Sequence, residues 1–222
     1  MVSQADFFAA VEAGDVAEIT RLVEAEPALL RAKNERGASG VLLACYNGRR
    51  EVRDLLLAKG VPLELHEAAA AGQLPRLKEL VETNPTAAKS YSPDGFPVVA
   101  LAAVFGHEEV ARYFYRKGAD VNAVATNGSG YTALTGAVAS GHGAIAKWLA
   151  ENGADVNYRY AQGYSPLLTA AANGHLEIVK MLLAHGADLQ ARTDDGKNAL
   201  AFALERNHKE VAEYLRGLGL TT

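Results

Sequence analysis

The sequence predicts an all-α solenoid, built from about seven helix-turn-helix units joined by short β-turn or hairpin segments that we call fingers. Two repeated features lead to this prediction. A Gly-His pair or a close variant begins at Gly106, Gly141, Gly174 and Asn207, and its histidines are spaced by 35, 33 and 33 residues. The triplet Gly-Ala-Asp follows each of the first three pairs by twelve residues. Self-similarity at a period of roughly 20 to 50 residues is typical of repeat architectures.

Earlier marker glycines extend the same pattern towards the N-terminus, at Gly14, Gly48 and Gly72. We therefore interpret residues 1–222 as a single domain of repeated units. The units span approximately residues 4–33, 34–64, 65–91, 92–126, 127–159, 160–192 and 193–222.

Each unit is predicted to contain two short helices, and the sixth unit shows why. Ser165 can cap the first helix, and Pro166 suits its first position, where a missing N–H costs nothing. Gly174 is predicted to end this helix, and Gly186 to end the second. The apolar stripe of the second helix consists of Ile178, Val179, Leu182 and Leu183. We expect helices of about nine or ten residues, which are unstable alone in water, so neighbouring pairs have to bury one another's stripes.

A second periodicity, of 58 residues, relates the first two units to the next two, which suggests that a pair of units was duplicated. Between Gly48 and Gly72 only 24 residues are available, nine fewer than the 33-residue period. Gly60 leads almost directly into a helix at Leu65. One finger is therefore predicted to be missing between the second and third units, with a gap or kink in the row of fingers there.

Two segments carry a resemblance to a known family: YTALTGAVASGHGAIAKWLAENGADVNY (131–158) and YSPLLTAAANGHLEIVKMLLAHGADLQA (164–191). They resemble ankyrin repeats, whose unit is a β-turn and two helices with a T-P-L-H-x-A signature. The resemblance covers essentially the whole chain, most strongly residues 93–192. The signature histidine is replaced throughout, which removes the basis for expecting its usual hydrogen bond between units. The replacing residues are Leu42, Ala100, Thr135, Leu168 and Ala201.

The resemblance implies a non-enzymatic module that binds a partner protein or peptide through a concave face of fingers and first helices. The position after the finger glycine holds Phe96, Tyr131 and Tyr164 in three successive units, and we expect these rings to form a ladder. Aromatic residues are enriched in binding hot spots. The competing interpretation is that the rings only pack finger against finger. The predicted partner-binding residues are Phe96, Phe105, Tyr131, Ser140, Tyr160, Gln162, Tyr164, Asn173, Lys197 and Arg206.

Two further features have other interpretations. A second aromatic row lies on the second helices and is expected to fill the grooves between neighbouring units; it consists of Tyr113, Trp148, Met181 and Tyr214. The discontinuity near residues 60–65 suggests an alternative function, in which the chain is a regulatory or inhibitory subunit or binds a small molecule there.

No catalytic, cofactor or metal site is predicted. Equivalent histidines of successive units are separated by roughly 8–10 Å, whereas zinc holds its nitrogen ligands at about 2.0–2.1 Å. We expect these histidines to bond nearby backbone instead. The aspartates of the Gly-Ala-Asp triplets are expected to accept backbone N–H bonds in their turns. Cys45 is expected to be a buried, inert thiol.

Composition narrows the function further. The 222 residues include 22 Lys and Arg and 26 Asp and Glu, and the net charge of −4 does not favour binding to nucleic acid. No segment looks able to cross a membrane, and the N-terminal residues lack the pattern of a secretory signal. A single cysteine suits a reducing compartment. We therefore expect a cytoplasmic monomer that binds neither nucleic acid nor membranes.

Overall fold

The computed structural model describes residues 3–222. Across this range the chain forms fourteen α-helices and three short 3-10 helices, and its extended residues form isolated bridges rather than a sheet. The predicted all-α class is confirmed. The α-helices occur as seven consecutive pairs. These pairs belong to two larger compact units, each containing several pairs: the first unit ends at Thr83 and the second unit begins at Asn84.

In the first unit, α1 packs on α3 and α3 on α5, while α2 packs on α4. Its largest fully buried side chains include Phe7, Ile19 and Leu56. The bounds of its helices are α1 (Gln4–Ala13), α2 (Val16–Ala25), a 3-10 helix (Pro27–Arg31), α3 (Gly40–Tyr46), α4 (Arg50–Ala58), α5 (Leu65–Ala70) and α6 (Leu74–Thr83).

The second unit continues with a 3-10 helix (Pro85–Lys89), α7 (Val98–Val104), α8 (Glu108–Arg116), α9 (Ala133–Ala139), α10 (Gly143–Glu151), a 3-10 helix (Ala161–Gly163), α11 (Pro166–Ala172), α12 (Leu176–Ala184), α13 (Ala199–Glu205) and α14 (Lys209–Gly217). The first helices α7, α9, α11 and α13 pack in series. The second helices α10, α12 and α14 do the same. Each pair therefore buries its apolar stripe against its neighbour, as a solenoid requires.

The helix boundaries follow local sequence signals. Ser165 accepts a hydrogen bond from the backbone N of Leu168 at 3.4 Å, Pro166 is the first helical residue, and Gly174 has the predicted left-handed φ of 73°. The second helices have nine or ten residues, as expected. The expected length is wrong for most first helices: Ser165 and Asn173 cap α11 at its two ends, which leaves seven helical residues between them.

Isolated antiparallel bridges form four of the fingers, at Lys33↔Ser39, Tyr91↔Pro97, Tyr160↔Tyr164 and Arg192↔Asn198. Between α4 and α5 the chain takes a shorter path. There Leu63 is buried and its carbonyl accepts a hydrogen bond from Arg76 Nε at 3.3 Å.

The marker histidines connect neighbouring pairs, and their predicted bonding to backbone is confirmed for two of them. His142 Nε2 donates to the carbonyl of Val104 at the end of α7, and His208 Nε2 to Ala172 at the end of α11, each at 3.0 Å. Gly106 lies under the His142 ring, because a Cβ added there would lie 2.8 Å from His142 Cε1. This glycine therefore provides both a left-handed turn and room for the histidine of the next pair.

The aspartates of the triplets also behave as predicted. The Oδ1 atom of Asp120, Asp155 and Asp188 accepts a backbone N–H two residues further on, at 2.8 to 2.9 Å. In addition, Asn157 joins two successive turns, since its Nδ2 donates to Gly186 O at 3.0 Å and its Oδ1 accepts from Asp188 N at 2.8 Å.

The second aromatic row is packed as expected where it is best buried. Tyr113 and Trp148 are both 6% exposed. Tyr115 of α8 contacts the Trp148 ring edge to face, and the Arg112 guanidinium lies 4.9 Å from the centroid of that ring. The indole therefore fills the space between α8 and α10.

Candidate partner-binding face

Four aromatic rings of the second unit form a continuous series of contacts, which we call the aromatic series. The ring centroids of Tyr131 and Tyr160 are 5.5 Å apart and nearly perpendicular; those of Tyr160 and Tyr164 are 6.1 Å apart, and those of Tyr164 and Phe202 are 5.2 Å apart. The three tyrosines are half-buried and Phe202 is buried. The predicted ladder of Phe96, Tyr131 and Tyr164 is therefore wrong in this form: Tyr131 and Tyr164 are joined only through Tyr160, and Phe96 makes no ring contact within residues 3–222.

Local structure on both sides holds the tyrosines in place. Gly130 and Gly163 have φ of 70° and 76°, so a tight turn precedes Tyr131 and Tyr164. The residue after each tyrosine is the N-cap of a helix: Thr132 caps α9, and Ser165 caps α11. Each ring is therefore presented from a short segment between a turn and a helix start.

Tyr160 supports the series from within. Its hydroxyl forms a short hydrogen bond with Thr169 Oγ1 on α11, and burial raises the pKa of Tyr160 to about 12. The hydroxyls of Tyr131 and Tyr164, in contrast, have no hydrogen-bond partner in the described part of the chain. Two of the three phenols can therefore accept or donate a hydrogen bond to another molecule.

Gln162 lies in the turn between Tyr160 and Tyr164 and has an unusual backbone. It is exposed, with φ 60° and ψ 22°, a left-handed conformation that costs a non-glycine residue about 1 kcal/mol. Its carbonyl accepts a hydrogen bond from Asp194 N at 3.0 Å, which ties the turn to the next finger. Glycine would adopt the same backbone conformation without this cost.

The last finger provides charge beside the aromatic series. Lys197 Nζ is 2.9 Å from Glu205 Oε1 and 5.8 Å from the centroid of the Phe202 ring. Arg206, the next residue after Glu205, caps the end of α13 and is exposed. The last finger and the end of α13 are therefore joined by the ion pair between Lys197 and Glu205.

The other predicted residues lie at corresponding places in the second unit. Ser140 is the exposed C-cap residue of α9. Asn173 occupies the same place in α11, and its Nδ2 donates to Ala139 O at 3.2 Å. Phe96 and Phe105 are half-buried and flank α7, one pair before the aromatic series. Among the predicted residues, Tyr131, Tyr160 and Tyr164 are therefore joined by ring contacts, and Lys197 lies over Phe202 at the end of this series. Ser140, Asn173 and Arg206 lie at the ends of first helices.

Sequence reasoning missed several residues. Phe202 extends the aromatic series and Thr169 anchors it, but in the sequence both resemble ordinary helix residues. The signature histidine of the family falls six residues before each marker glycine, and before Gly72 this position is occupied by His66. The prediction that the signature histidine is replaced throughout is therefore wrong. His66 is 7% exposed, its Nδ1 is 3.9 Å from Glu64 Oε2, and its Nε2 has no hydrogen-bond partner within residues 3–222.

Three other kinds of candidate site come from the sequence or are visible in the structure: a metal site, a reactive cysteine and a cavity. No group of three His, Cys, Asp or Glu side chains that could hold a metal ion occurs in the described part of the chain. Cys45 is half-buried on α3, and burial raises the pKa of its thiol to about 12, as expected of an inert thiol. A cavity of about 260 Å³ is lined by residues between Ala88 and Ala123, and its lining does not include residues 60–65. A small-molecule site at that discontinuity stays a hypothesis.

Comparison with known proteins identifies the family. The model of the family described as ankyrin repeats (3 copies) matches residues 65–160 and 157–220, which together make up most of the chain. The chain is an ankyrin-repeat protein. Ankyrin repeats are in general modules for protein–protein interaction. A search of curated proteins found no match to this ankyrin-repeat protein. None of its described helices is long and apolar enough to span a membrane.

Proposed function

We propose that this ankyrin-repeat protein is a non-enzymatic interaction module that binds a partner protein or peptide. In this proposal the partner lies against the fingers and first-helix ends of the second unit. The observation that carries the proposal is the aromatic series, in which Tyr131 and Tyr164 keep unpartnered hydroxyls while Tyr160 and Phe202 support their rings. Aromatic side chains are enriched in the residues that dominate binding energy.

The arrangement suits binding because its parts are ordered before a partner arrives. Tyrosine has few rotatable bonds, and the ring contacts with Tyr160 and Phe202 already restrict them. A preorganised surface loses less conformational entropy on association, so more of the contact energy contributes to affinity. Gln162 contributes an exposed amide in the turn between Tyr160 and Tyr164.

The remaining proposed contacts surround this centre. Ser140, Asn173 and Arg206 follow the ends of three successive first helices, so they form one edge of the proposed face. Lys197 borders the last ring, and Phe96 and Phe105 extend the face towards α7. Such a surface has a central aromatic cluster and a polar rim, the usual anatomy of protein interfaces.

A random peptide library tests the proposal. Peptides are selected on the immobilised wild-type protein, and their affinity is then measured for a variant that combines Tyr131→Ala and Tyr164→Ala. A single hot-spot residue is worth about 2 kcal/mol or more, and such losses are not additive, so we expect the affinity of the double variant to fall by at least the single-residue amount, roughly 30-fold.

The matched control is Tyr115→Ala, which removes a ring of the same kind that is 38% exposed on a second helix. It should retain wild-type peptide affinity, and circular dichroism should show that both variants are folded. If selection yields no peptide, or if the peptides bind the double variant as tightly as wild type, the proposal is wrong.

A further inference from the structure

We infer that the partner segment carries a carboxylate side chain close to an apolar or aromatic one, and that Arg206 pairs with this carboxylate. The inference rests on the proposed function and specifies the chemistry of its partner. It follows from the charges that remain unpaired around the aromatic series.

The acidic groups near the aromatic series are already engaged. Asp194 Oδ1 is 3.1 Å from Arg159 Nη2, and Glu205 is paired with Lys197. Asp195 accepts a hydrogen bond from Thr193 Oγ1, and this bond holds the pKa of the Asp195 carboxyl below its usual value. A basic partner would therefore have to compete with existing interactions at each acid.

The basic groups are not all engaged. Arg192 Nη1 donates to the carbonyl of Gly196 in its own finger, at 2.7 Å, and has no acidic partner in the described chain. Arg206 makes neither an ion pair nor a side-chain hydrogen bond within residues 3–222, and it is exposed. Its guanidinium thus retains all five donors, in a planar arrangement that matches a carboxylate.

Arg206 lies one helical turn after Phe202, and its backbone N donates to the Phe202 carbonyl at 3.1 Å. It follows Glu205 directly, Glu205 binds Lys197, and the Lys197 ammonium lies over the Phe202 ring that ends the aromatic series. A partner segment that contacts Tyr164 and continues past Phe202 along α13 would reach the end of this helix, where Arg206 is exposed.

The available hydrogen-bonding groups agree with an anionic partner. The hydroxyls of Tyr131 and Tyr164, the Gln162 amide and the Arg206 guanidinium are all able to donate. The Lys197 ammonium already lies over the Phe202 ring. A cation of the partner therefore could not bind to this ring face without displacing Lys197. The hydroxyls and the amide can serve donors and acceptors alike, whereas the guanidinium only donates. The unpaired guanidinium, beside acids that are already paired, is therefore what favours a partner with a carboxylate.

The test compares peptides selected from one random library on three proteins: wild type, Arg206→Glu and Lys209→Glu. Lys209 is exposed at the start of α14, and its substitution changes the net charge by the same amount. We expect wild-type peptides to share an Asp or Glu at a constant spacing from an apolar or aromatic residue. Their affinity should fall roughly tenfold or more for Arg206→Glu and stay unchanged for Lys209→Glu.

The charge reversal adds a second readout. Selection on Arg206→Glu should yield Lys or Arg at the position that is acidic in wild-type peptides, and thermal unfolding should show that this variant is as stable as wild type. Peptides that require Tyr131 and Tyr164 but lack a constant acidic position, or that bind Arg206→Glu unchanged, would overturn this inference and leave the proposed function standing. Failure to select any peptide, or peptides indifferent to the two tyrosines, would overturn both.

Discussion

Arg159 and Asp194 form an ion pair that joins two successive fingers directly above Gly163. The Arg159 Nη2 atom is 3.1 Å from Asp194 Oδ1, and its Nη1 donates to the carbonyl of Arg192 at 2.8 Å. A Cβ atom at Gly163 would overlap both charged side chains. The ion pair thus holds the turn that precedes Tyr164.

Replacing Gly163 by alanine should destabilise the protein for two reasons. The residue has φ 76°, which costs alanine about 1 kcal/mol, and the new methyl group would displace the ion pair above it. We expect the free energy of unfolding in urea to fall by about 1–2 kcal/mol, since an exposed ion pair adds less than about 1 kcal/mol.

The matched control is Gly196→Ala, where φ is 85° but no atom lies within 4 Å of the added Cβ. This variant should lose only the backbone contribution. Equal losses at the two glycines would show that the ion pair over Gly163 has no effect on stability.

Gln162→Gly should separate stability from binding. Glycine adopts a left-handed conformation without strain, so we expect a gain in unfolding free energy of about 0.5–1 kcal/mol. Loss of the exposed amide should at the same time weaken the affinity for peptides selected on wild type. Asn207→Gly is the control, because Asn207 also has φ 60°. The prediction is wrong if Gln162→Gly binds as tightly as Asn207→Gly.

Asn157→Ala should weaken the connection between successive turns. The amide makes two hydrogen bonds to backbone groups of the next turn, at 3.0 and 2.8 Å. Because the site is exposed, we expect a loss of about 1–2 kcal/mol in unfolding free energy. Gln190, the corresponding residue one repeat later, makes no side-chain hydrogen bond within residues 3–222, so Gln190→Ala should leave stability unchanged. Similar losses for the two variants would contradict this account.

The bond between Tyr160 and Thr169 can be tested with a double variant. Thr169→Val leaves the Tyr160 hydroxyl without a partner beside the buried position 169, and we expect a loss of about 1–3 kcal/mol. Adding Tyr160→Phe removes that unpaired hydroxyl and should recover part of the loss, as measured by urea unfolding. If the double variant is less stable than Thr169→Val alone, the hydroxyl has a second role that the hydrogen bond does not explain.

Acid should destabilise the second unit partly through His175. Burial, followed by the nearby charge of His208, lowers the pKa of His175 below its usual value. The unfolded chain then binds a proton more readily than the folded chain. Stability is therefore retained above the unfolded pKa of about 6.5 and is lost as the pH falls below it.

Unfolding free energies measured from about pH 7.5 to about pH 5 should show this effect. The decrease towards acid should be smaller in His175→Gln than in wild type, because glutamine does not titrate. An identical pH dependence in the two proteins would show that His175 takes no part.

Much of the fold could be predicted because its signals are local. The cap at Ser165, the glycine at Gly174 and the aspartate turn at Asp188 each act within a few residues. The lengths of the first helices were harder to predict, since a cap residue at each end leaves fewer helical residues than the spacing between caps suggests. His66 is predictable from spacing alone, because it lies six residues before the marker Gly72.

The sequence by itself determined the repeat period, the number of helix pairs, the family and the finger positions that carry Tyr131 and Tyr164, because each depends on neighbours in the chain. Only the tertiary structure decided that Tyr160 lies between these rings, that Phe202 contacts Tyr164 and that an ion pair covers Gly163. These contacts join residues from different elements and successive repeats. Their geometry depends on how neighbouring helix pairs stack, which no short stretch of sequence specifies.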